Sequence, residues 1–235
     1  MSTPGTVVPN DSDEPVVFEA GDGWTLVGTL CLPDLEPPSS GVVLVHGSMH
    51  EQDAFVYGVG LPAVLAERGI ASLRFDIRGR GSSRAPRPWQ SLTPVERRAV
   101  TLDVTAGVDL LRSRTAHGVQ IGVVGEQDTA ASVVDAVCRD RGVAALVLLS
   151  PRLRRTSIAN LAVRSVPTWV MVSKEDRLAL RDAAGAYSVA PAPVSELHVE
   201  SGLGFGTTMF MARAFEQPDE PTVEATLADW LSRVL

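Results

Sequence analysis

Titratable residues that follow one apolar run could transfer protons. His50 stands five residues beyond the run 41–45, and Glu51 and Asp53 come shortly after it. Histidine changes its protonation near neutral pH, and nearby carboxylates favour its charged form. This pattern makes His50 a candidate proton shuttle and therefore a candidate catalytic residue. A solvated loop histidine fits the same residues.

The length and charge of the chain limit its classes of function. Its 235 residues are 45% hydrophobic, so they can bury a sizeable core in one domain. We expect that domain over residues 15–235, after a flexible tail formed by residues 1–14. The formal charge of −7 argues against a nucleic-acid partner, which would require clustered lysine and arginine.

Cysteine usage and the N-terminal sequence predict a cytoplasmic protein. Cys31 and Cys138 lack the spacing of a metal or redox motif, so we expect two free thiols, no metal and no cofactor. The start of the chain lacks the basic and apolar regions of a signal peptide, and no apolar run reaches the length of a membrane span. No membrane partner is expected.

Short apolar runs alternate with longer stretches in which apolar residues recur three and four positions apart. The short runs predict strands at residues 16–19, 25–32, 41–45, 70–75, 120–124, 144–149, 168–172 and 196–199. The longer stretches predict helices at residues 61–68, 94–114, 129–139, 178–187 and 221–235. This order predicts an α/β fold with a mostly parallel, eight-stranded twisted sheet and helices on both faces.

Loops at the carboxyl ends of the strands should surround the functional site, because ligands of such sheets bind there. About 17 residues follow Leu149 before the next predicted strand, which is too short for a helical cap domain. The site loops are predicted to begin at His46, Asp76, Gly125, Ser150, Ser173 and Ser201.

Three segments resemble motifs of the α/β-hydrolase family, especially its lidless, dienelactone-hydrolase-like branch. GVVLVHGSMH (41–50) is similar to the strand and oxyanion loop of that family, and ASLRFDIRGRGSS (71–83) is similar to its next strand and turn. VPTWVMVSKED (166–176) resembles the strand that precedes the acid of the catalytic triad. The resemblance implies an α/β-hydrolase fold without a cap domain, and a triad acid at Asp176.

The serine nucleophile of that family lies on a tight turn between a strand and a helix. The corresponding sequence is GEQDTA (125–130), which aligns Gln127 with the serine. A carboxamide cannot be deprotonated near neutral pH, so Gln127 could bind a substrate but could not attack it. A shifted register would make Asp128 an aspartyl nucleophile, with Glu126 at a crowded position that favours a small side chain.

The histidine base of the family lies in a loop that resembles Gly-x-Gly-His-Gly-Thr, where this chain has SGLGFGTTMF (201–210). Phe205 occupies the histidine position and cannot transfer a proton. Loss of triad residues typically lowers turnover about a millionfold and leaves about a thousandfold over water. Ordinary serine-hydrolase chemistry is therefore not expected.

The oxyanion loop could still bind a carbonyl group. Backbone amides after the third strand and at Asp128 should converge on a small volume and stabilise a developing oxyanion. Met49 and Phe205 would make the pocket more apolar than that of a hydrolase, while His46 more typically supports the loop by hydrogen bonds. The candidate substrate-binding residues are His46, Gly47, Ser48, Met49, Gln127 and Phe205.

Arginines cluster in two loops predicted on the site side, at residues 78–87 and 152–155. They could hold a carboxylate or a phosphate in a bidentate manner, although a solvated face fits them as well. Ser132 is predicted to pack within a helix, away from the site.

Three functions remain open. The first is a non-hydrolytic enzyme of the cyclase, lyase or isomerase type, acting on a small carbonyl compound of the kind found in secondary metabolism. The second is a pseudo-hydrolase that binds a small-molecule ligand or a partner protein. The third is a weak hydrolase that uses Asp128, or a water activated by Asp176. A homodimer is a possible assembly for each.

Overall fold

The computed structural model describes residues 13–34, 38 and 40–235. Most of the predicted tail, residues 1–12, lies outside the described residues. Asp13 and Glu14 already belong to the first strand, which begins two residues before the predicted domain boundary.

Eight strands form one sheet with the spatial order β1-β2-β4-β3-β5-β6-β7-β8. The strand β1 is antiparallel to β2, β2 is antiparallel to β4, and every other neighbouring pair is parallel. The strands are β1 (Asp13–Glu19), β2 (Thr25–Cys31), β3 (Ser40–Val45), β4 (Ile70–Phe75), β5 (Gln120–Glu126), β6 (Val143–Leu149), β7 (Thr168–Ser173) and β8 (Glu196–Glu200). The predicted strands are therefore all present.

Burial along the strands explains this architecture. Every residue of β3, β4 and β7 is buried, as expected of parallel strands that are covered on both faces. Alternate residues of one strand enter different cores: Val43 packs with helices on one face, and Val42 packs with those on the other. The sheet is therefore the middle of three layers.

Eight helices accompany the sheet in the described part of the chain. They are α1 (Leu61–Ala66), α2 (Pro94–Arg98), α3 (Val100–Arg114), α4 (Ala130–Arg139), α5 (Arg155–Arg164), α6 (Arg177–Val189), α7 (Thr208–Glu216) and α8 (Val223–Val234). The buried residues of α3, α4, α5 and α6 belong to one core, and those of α1, α7 and α8 belong to the other. No helix among the described residues is both long enough and apolar enough to cross a bilayer.

The helices differ from the prediction in three places. The predicted helix 94–114 is interrupted at Ala99, where ψ is −2°, so that α2 and α3 are separate. The helices α5 and α7 were not predicted. Between β6 and β7 the chain forms only α5, and no cap domain lies in this segment.

Candidate functional site

The turn between β5 and α4 forces one side chain into a strained position. Gln127 has φ of +47°, which is uncommon for a residue other than glycine. A side chain at Gly125 would bring Cβ within 2.9 Å of Val133, so the residue two positions earlier has to be small. These are the features of a nucleophile elbow, and they place Gln127 at its apex. The backbone does not support the shifted register with Asp128 at that position.

The carboxylate of Glu126 accepts hydrogen bonds from two different loops, although its side chain is fully buried. Its Oε2 accepts from the backbone N–H of Gly47 at 2.8 Å. Its Oε1 accepts from the backbone N–H of Thr207 at 2.7 Å and from the Thr207 hydroxyl at 3.1 Å. His50 Nδ1 completes the set, 3.0 Å from Oε1 and 3.2 Å from Oε2. We call Glu126, His50, Gly47 and Thr207 the Glu126 cluster.

The hydrogen bond to Glu126 determines which nitrogen of the His50 ring carries the proton. A carboxylate only accepts, so Nδ1 carries the hydrogen and the neutral ring has its lone pair on Nε2. The side chain is 22% exposed, and Nε2 has no hydrogen-bond partner among the described residues. His50 therefore presents a basic nitrogen whose orientation is set by a buried acid.

Within the Glu126 cluster, His50 and Glu126 each stabilise the charged form of the other. The hydrogen bond to Glu126 raises the pKa of His50 above its ordinary value, and this effect outweighs the opposing effect of burial. Burial favours a raised pKa for Glu126, but the hydrogen bond and charge of His50, with the Gly47 and Thr207 amides, hold that pKa below its ordinary value. Glu126 is thus a buried carboxylate that stays ionised at neutral pH.

Two glycines allow the loops to approach Glu126. A Cβ on Gly206 would lie 2.0 Å from Glu126 Oε1 and 2.8 Å from Gln127 Nε2. A Cβ on Gly47 would lie 3.3 Å from Gln127 Cβ. The Gln127 amide is enclosed between these loops, and its buried Nε2 has no hydrogen-bond partner among the described residues. Gln127 fills the space in which a hydrolase would hold its nucleophile.

The oxyanion loop is occupied by a carboxylate from the same chain. Asp128 accepts the backbone N–H of Ser48 at 2.9 Å and also the Ser48 hydroxyl. The Ser48 amide therefore already has an acceptor in Asp128, and the convergence of amides on a small volume remains a prediction. The substrate-binding role of Ser48 remains a prediction.

Asp176 has two structural partners that the sequence did not indicate. Its carboxylate caps α6 by accepting the backbone N–H of Ala179 at 3.2 Å, and it pairs with Arg152 at 2.8 Å. Among the described residues no histidine bonds to it. The structure thus gives Asp176 a role in loop and helix stability, and a catalytic role remains a prediction.

The predicted apolar pocket wall is not formed by the expected residues. Phe205 is 50% exposed and Met49 is 75% exposed, so neither side chain fills an enclosed cavity. The backbone N–H of Phe205 donates to Thr208 Oγ1 at 3.0 Å. The contribution of this loop to the site comes instead from Thr207, two positions further on.

His46 lies beneath the loop and is fully buried. Its Nδ1 donates to the Gly47 carbonyl at 2.8 Å, and its Nε2 accepts the backbone N–H of Ile77 at 3.2 Å. Burial lowers the pKa of His46, which stays neutral. It therefore supports the loop as the sequence suggested, and a substrate could not reach it without moving the loop.

Most of the predicted anion-binding arginines have acidic partners. Arg78 is buried between Asp22 and Asp103, and Arg152 pairs with Asp176. Arg80 lies near Met49, with Nη2 3.9 Å from the sulfur. The solvated-face interpretation is therefore wrong for Arg78, which is 1% exposed.

Sequence reasoning missed Glu126 and Thr207. A charged residue at the end of the buried strand β5 must be exposed or must find partners. Since β3 and β5 are adjacent in the sheet, the loop that begins at His46 was the place to look for those partners. The sequence thus contained a sign that Glu126 belongs to the site, but the crowding expected beside the elbow argued against a functional role for Glu126.

Solved structures that share this fold include a dienelactone hydrolase, an esterase and a serine hydrolase homologue. Dienelactone hydrolase from Anabaena variabilis ATCC 29413 is 18% identical, with a TM-score of 0.71 over 94% of this chain and 95% of that one. An esterase of Pyrococcus furiosus is 17% identical, with a TM-score of 0.71 over 99% of both chains. A serine hydrolase homologue from Coxiella burnetii is 18% identical, with a TM-score of 0.66 over 97% of this chain and all of that one.

No protein-family model and no curated protein sequence matches the chain. The structural likeness confirms the predicted α/β-hydrolase fold, including its lidless form. The chemistry has to be argued from the residues of the site.

Proposed function

We propose that the chain is a non-hydrolytic enzyme that moves protons on a small carbonyl compound, as a cyclase, lyase or isomerase does. The observation that supports this most directly is the buried Glu126 carboxylate bonded to His50 Nδ1 at 3.0 Å. The pair supplies a base and the acid that orients it, which are the two groups that proton transfer requires.

The same pair without a nucleophile favours proton transfer over acyl transfer. In a serine hydrolase the oriented imidazole takes its proton from a serine, and Gln127 has no hydroxyl to give. His50 Nε2 would instead remove a proton from carbon beside a carbonyl and return it at a second position. Glu126 would hold the imidazolium that forms between the two transfers. In this scheme Asp128 positions the oxyanion loop and Asp176 stabilises α6.

Exchange of carbon-bound protons tests this function without knowledge of the natural substrate. A panel of small ketones and keto acids is incubated with the protein in deuterated water, and loss of the proton signals beside each carbonyl is followed by NMR. We expect faster exchange for at least one member, and a reduction of about 10²- to 10⁴-fold in His50→Gln. Glu126→Gln should lose most of the rate because the ring is no longer held in the basic tautomer.

His198→Gln is the matched control, since His198 also pairs with a glutamate, Glu196, at 2.9 Å on β8. It should exchange protons at the rate of the unmodified protein. Equal rates in His50→Gln and the unmodified protein, across every compound that exchanges, would contradict the proposal.

A pseudo-hydrolase that only binds is the second candidate. It is favoured by Asp128, whose carboxylate occupies the Ser48 amide that a reacting oxyanion would need. Under this function Asp128→Ala would leave ligand binding intact and would create no turnover. Proton exchange that depends on His50 excludes it.

The weak-hydrolase function receives less support. The structural neighbours are named as hydrolases and esterases, yet Asp128 is bonded to Ser48 and Asp176 to Arg152. A homodimer and a cytoplasmic location belong to the proposal as well, to be checked by sedimentation and by cell fractionation.

A further inference from the structure

A cleft of about 280 Å³ opens beside the elbow and has a positively charged lining. Its walls include the arginines Arg97, Arg98 and Arg154, the indole of Trp89 and the first turn of α4 at Ser132. We call it the arginine cleft. The sequence pointed to other arginines, at residues 78–87 and 152–155, and only Arg154 belongs to both sets.

The charges of the arginine cleft are only partly neutralised. Arg154 pairs with Asp135, whereas Arg97 and Arg98 form no ion pair among the described residues. Arg97 instead stacks on Trp89, with its guanidinium carbon 5.4 Å from the ring centroid, and its Nη2 donates to the Gln90 carbonyl at 3.3 Å, which leaves its other N–H groups without an acceptor among the described residues. Two guanidinium groups therefore remain available to an anion, and guanidinium matches a carboxylate in a planar, bidentate geometry.

A second, independent observation comes from α4. Ser132 is 5% exposed, lines the cleft, and has a hydroxyl without a hydrogen-bond partner among the described residues. It lies in the first turn of a ten-residue helix, whose N-terminal end favours negative charge. The predicted packing role of Ser132 is thus incomplete, because a hydroxyl that opens onto a cleft is suited to bind a ligand oxygen.

The arginine cleft adjoins the Glu126 cluster. Ser48 and Asp128 line it, Ser48 follows Gly47 directly, and the charge of Asp128 acts on His50. Asp128 repels an anion at its own position, so a bound carboxylate is favoured next to the arginines. A ligand held there by one end would direct its other end toward the site.

We propose that the arginine cleft binds the carboxylate of the substrate, so that the compound handled at His50 is a small keto acid. The proposal rests on the proposed function for the identity of the reacting group, but binding can be measured without any reaction. Binding of a carboxylate by Arg97, Arg98 and Ser132 would select keto acids over neutral carbonyl compounds.

Binding of 4-oxopentanoate and of its neutral amide, 4-oxopentanamide, tests the proposal. Titration is followed by the NMR shift of the Trp89 indole N–H, assigned with Trp89→Phe. We expect the acid to bind at least about tenfold more tightly than the amide, and Arg98→Ala to weaken acid binding about five- to tenfold. Raising the ionic strength should weaken the binding of the acid and leave the affinity for the amide unchanged.

Arg141→Ala is the matched control, because Arg141 lines a different cleft and its loss changes the net charge equally. It should bind the acid as the unmodified protein does. Equal affinity for acid and amide, or equal weakening in Arg98→Ala and Arg141→Ala, would overturn the proposal.

The two proposals fail in different ways. Binding of the acid that depends on Arg98, without proton exchange in any compound, supports the arginine cleft and contradicts the acid–base function. Proton exchange that depends on His50 and is equally fast for acid and amide supports the function and contradicts the cleft.

Discussion

Two residues define the chemistry of this molecule at the smallest scale. Gln127 lies at the apex of the elbow with a side chain that cannot act as a nucleophile, and Glu126 next to it carries a buried charge that needs hydrogen-bond partners. The carboxylate finds its partners in Gly47, Thr207 and His50 because they lie on neighbouring loops. An amide that cannot act as a nucleophile and a buried carboxylate thus occupy adjacent positions.

Titration of His50 should reveal its partner. Since the folded-state pKa of His50 lies above 6.5, the charged ring persists to higher pH than in an unfolded chain. NMR titration of the ring should give a raised midpoint, and Glu126→Gln should lower it.

The same shift makes stability depend on pH. A raised pKa stabilises the fold fully below the unfolded value near 6.5, and this contribution disappears as the pH rises through the folded value. The difference in unfolding free energy between the unmodified protein and His50→Gln should therefore shrink from pH 6 towards alkaline pH, as measured in urea. A difference that grows over this interval would contradict the assigned pair.

Chemical labelling should confirm the absence of a serine nucleophile. A fluorophosphonate reacts with a serine that is activated by a histidine, and the elbow offers only Gln127. We expect no labelling and ester turnover no higher than about a thousandfold over water. An active serine esterase in the same assay is the positive control, and labelling of any serine here would show that the site has been misassigned.

At the scale of elements, most of the fold follows from the pattern of apolar residues. Strands such as β3 and β7 are buried on both faces, so their uninterrupted apolar runs were readable. The helix α5 was missed because only Ser157 and Leu161 are buried in it, which leaves no clear periodicity. The site was harder to predict, since contacts between loops depend on which strands are neighbours rather than on any local motif.

Gly206 allows the loop before α7 to approach Glu126. A side chain at this position would collide with the carboxylate. In Gly206→Ala the new Cβ would lie 2.0 Å from Glu126 Oε1, at a φ of +57°. We expect a loss of about 3–5 kcal/mol in unfolding free energy, from crowding and displaced hydrogen bonds. Urea denaturation measures it.

Gly118→Ala is the matched control for that substitution. Its φ is +85°, but no atom lies within 4 Å of the added Cβ, so only backbone strain of about 1–2 kcal/mol remains. Equal losses in the two variants would mean that the approach to Glu126 is not tight.

At the scale of the whole molecule, a buried ion network joins the first hairpin to the helical layer. Arg78 bonds to Asp103 of α3 at 2.6 Å and to Asp22 of the β1–β2 turn at 2.7 Å, and its guanidinium lies 5.3 Å from the Trp24 ring centroid. The antiparallel edge of the sheet is thus held to α3 by charge as well as by apolar packing.

Removing one carboxylate at a time from that network should show that the loss of unfolding free energy depends on how deeply the carboxylate is buried. Asp103 is fully buried, so Asp103→Asn should lower the unfolding free energy by about 3–5 kcal/mol, because Arg78 loses its buried counter-charge. Asp22 is 39% exposed, and Asp22→Asn should cost only about 1 kcal/mol. Thermal unfolding of the two variants compares them directly, and similar losses would contradict the ranking.

The position of Glu126 also has a consequence for how the molecule fluctuates. The two oxygens of one buried carboxylate bind backbone amides that follow β3 and precede α7, so the loss of either hydrogen bond leaves the same buried charge less satisfied. Gly47 and Thr207, distant in the chain, should therefore share a single local opening event and release their amide hydrogens to solvent at matching rates.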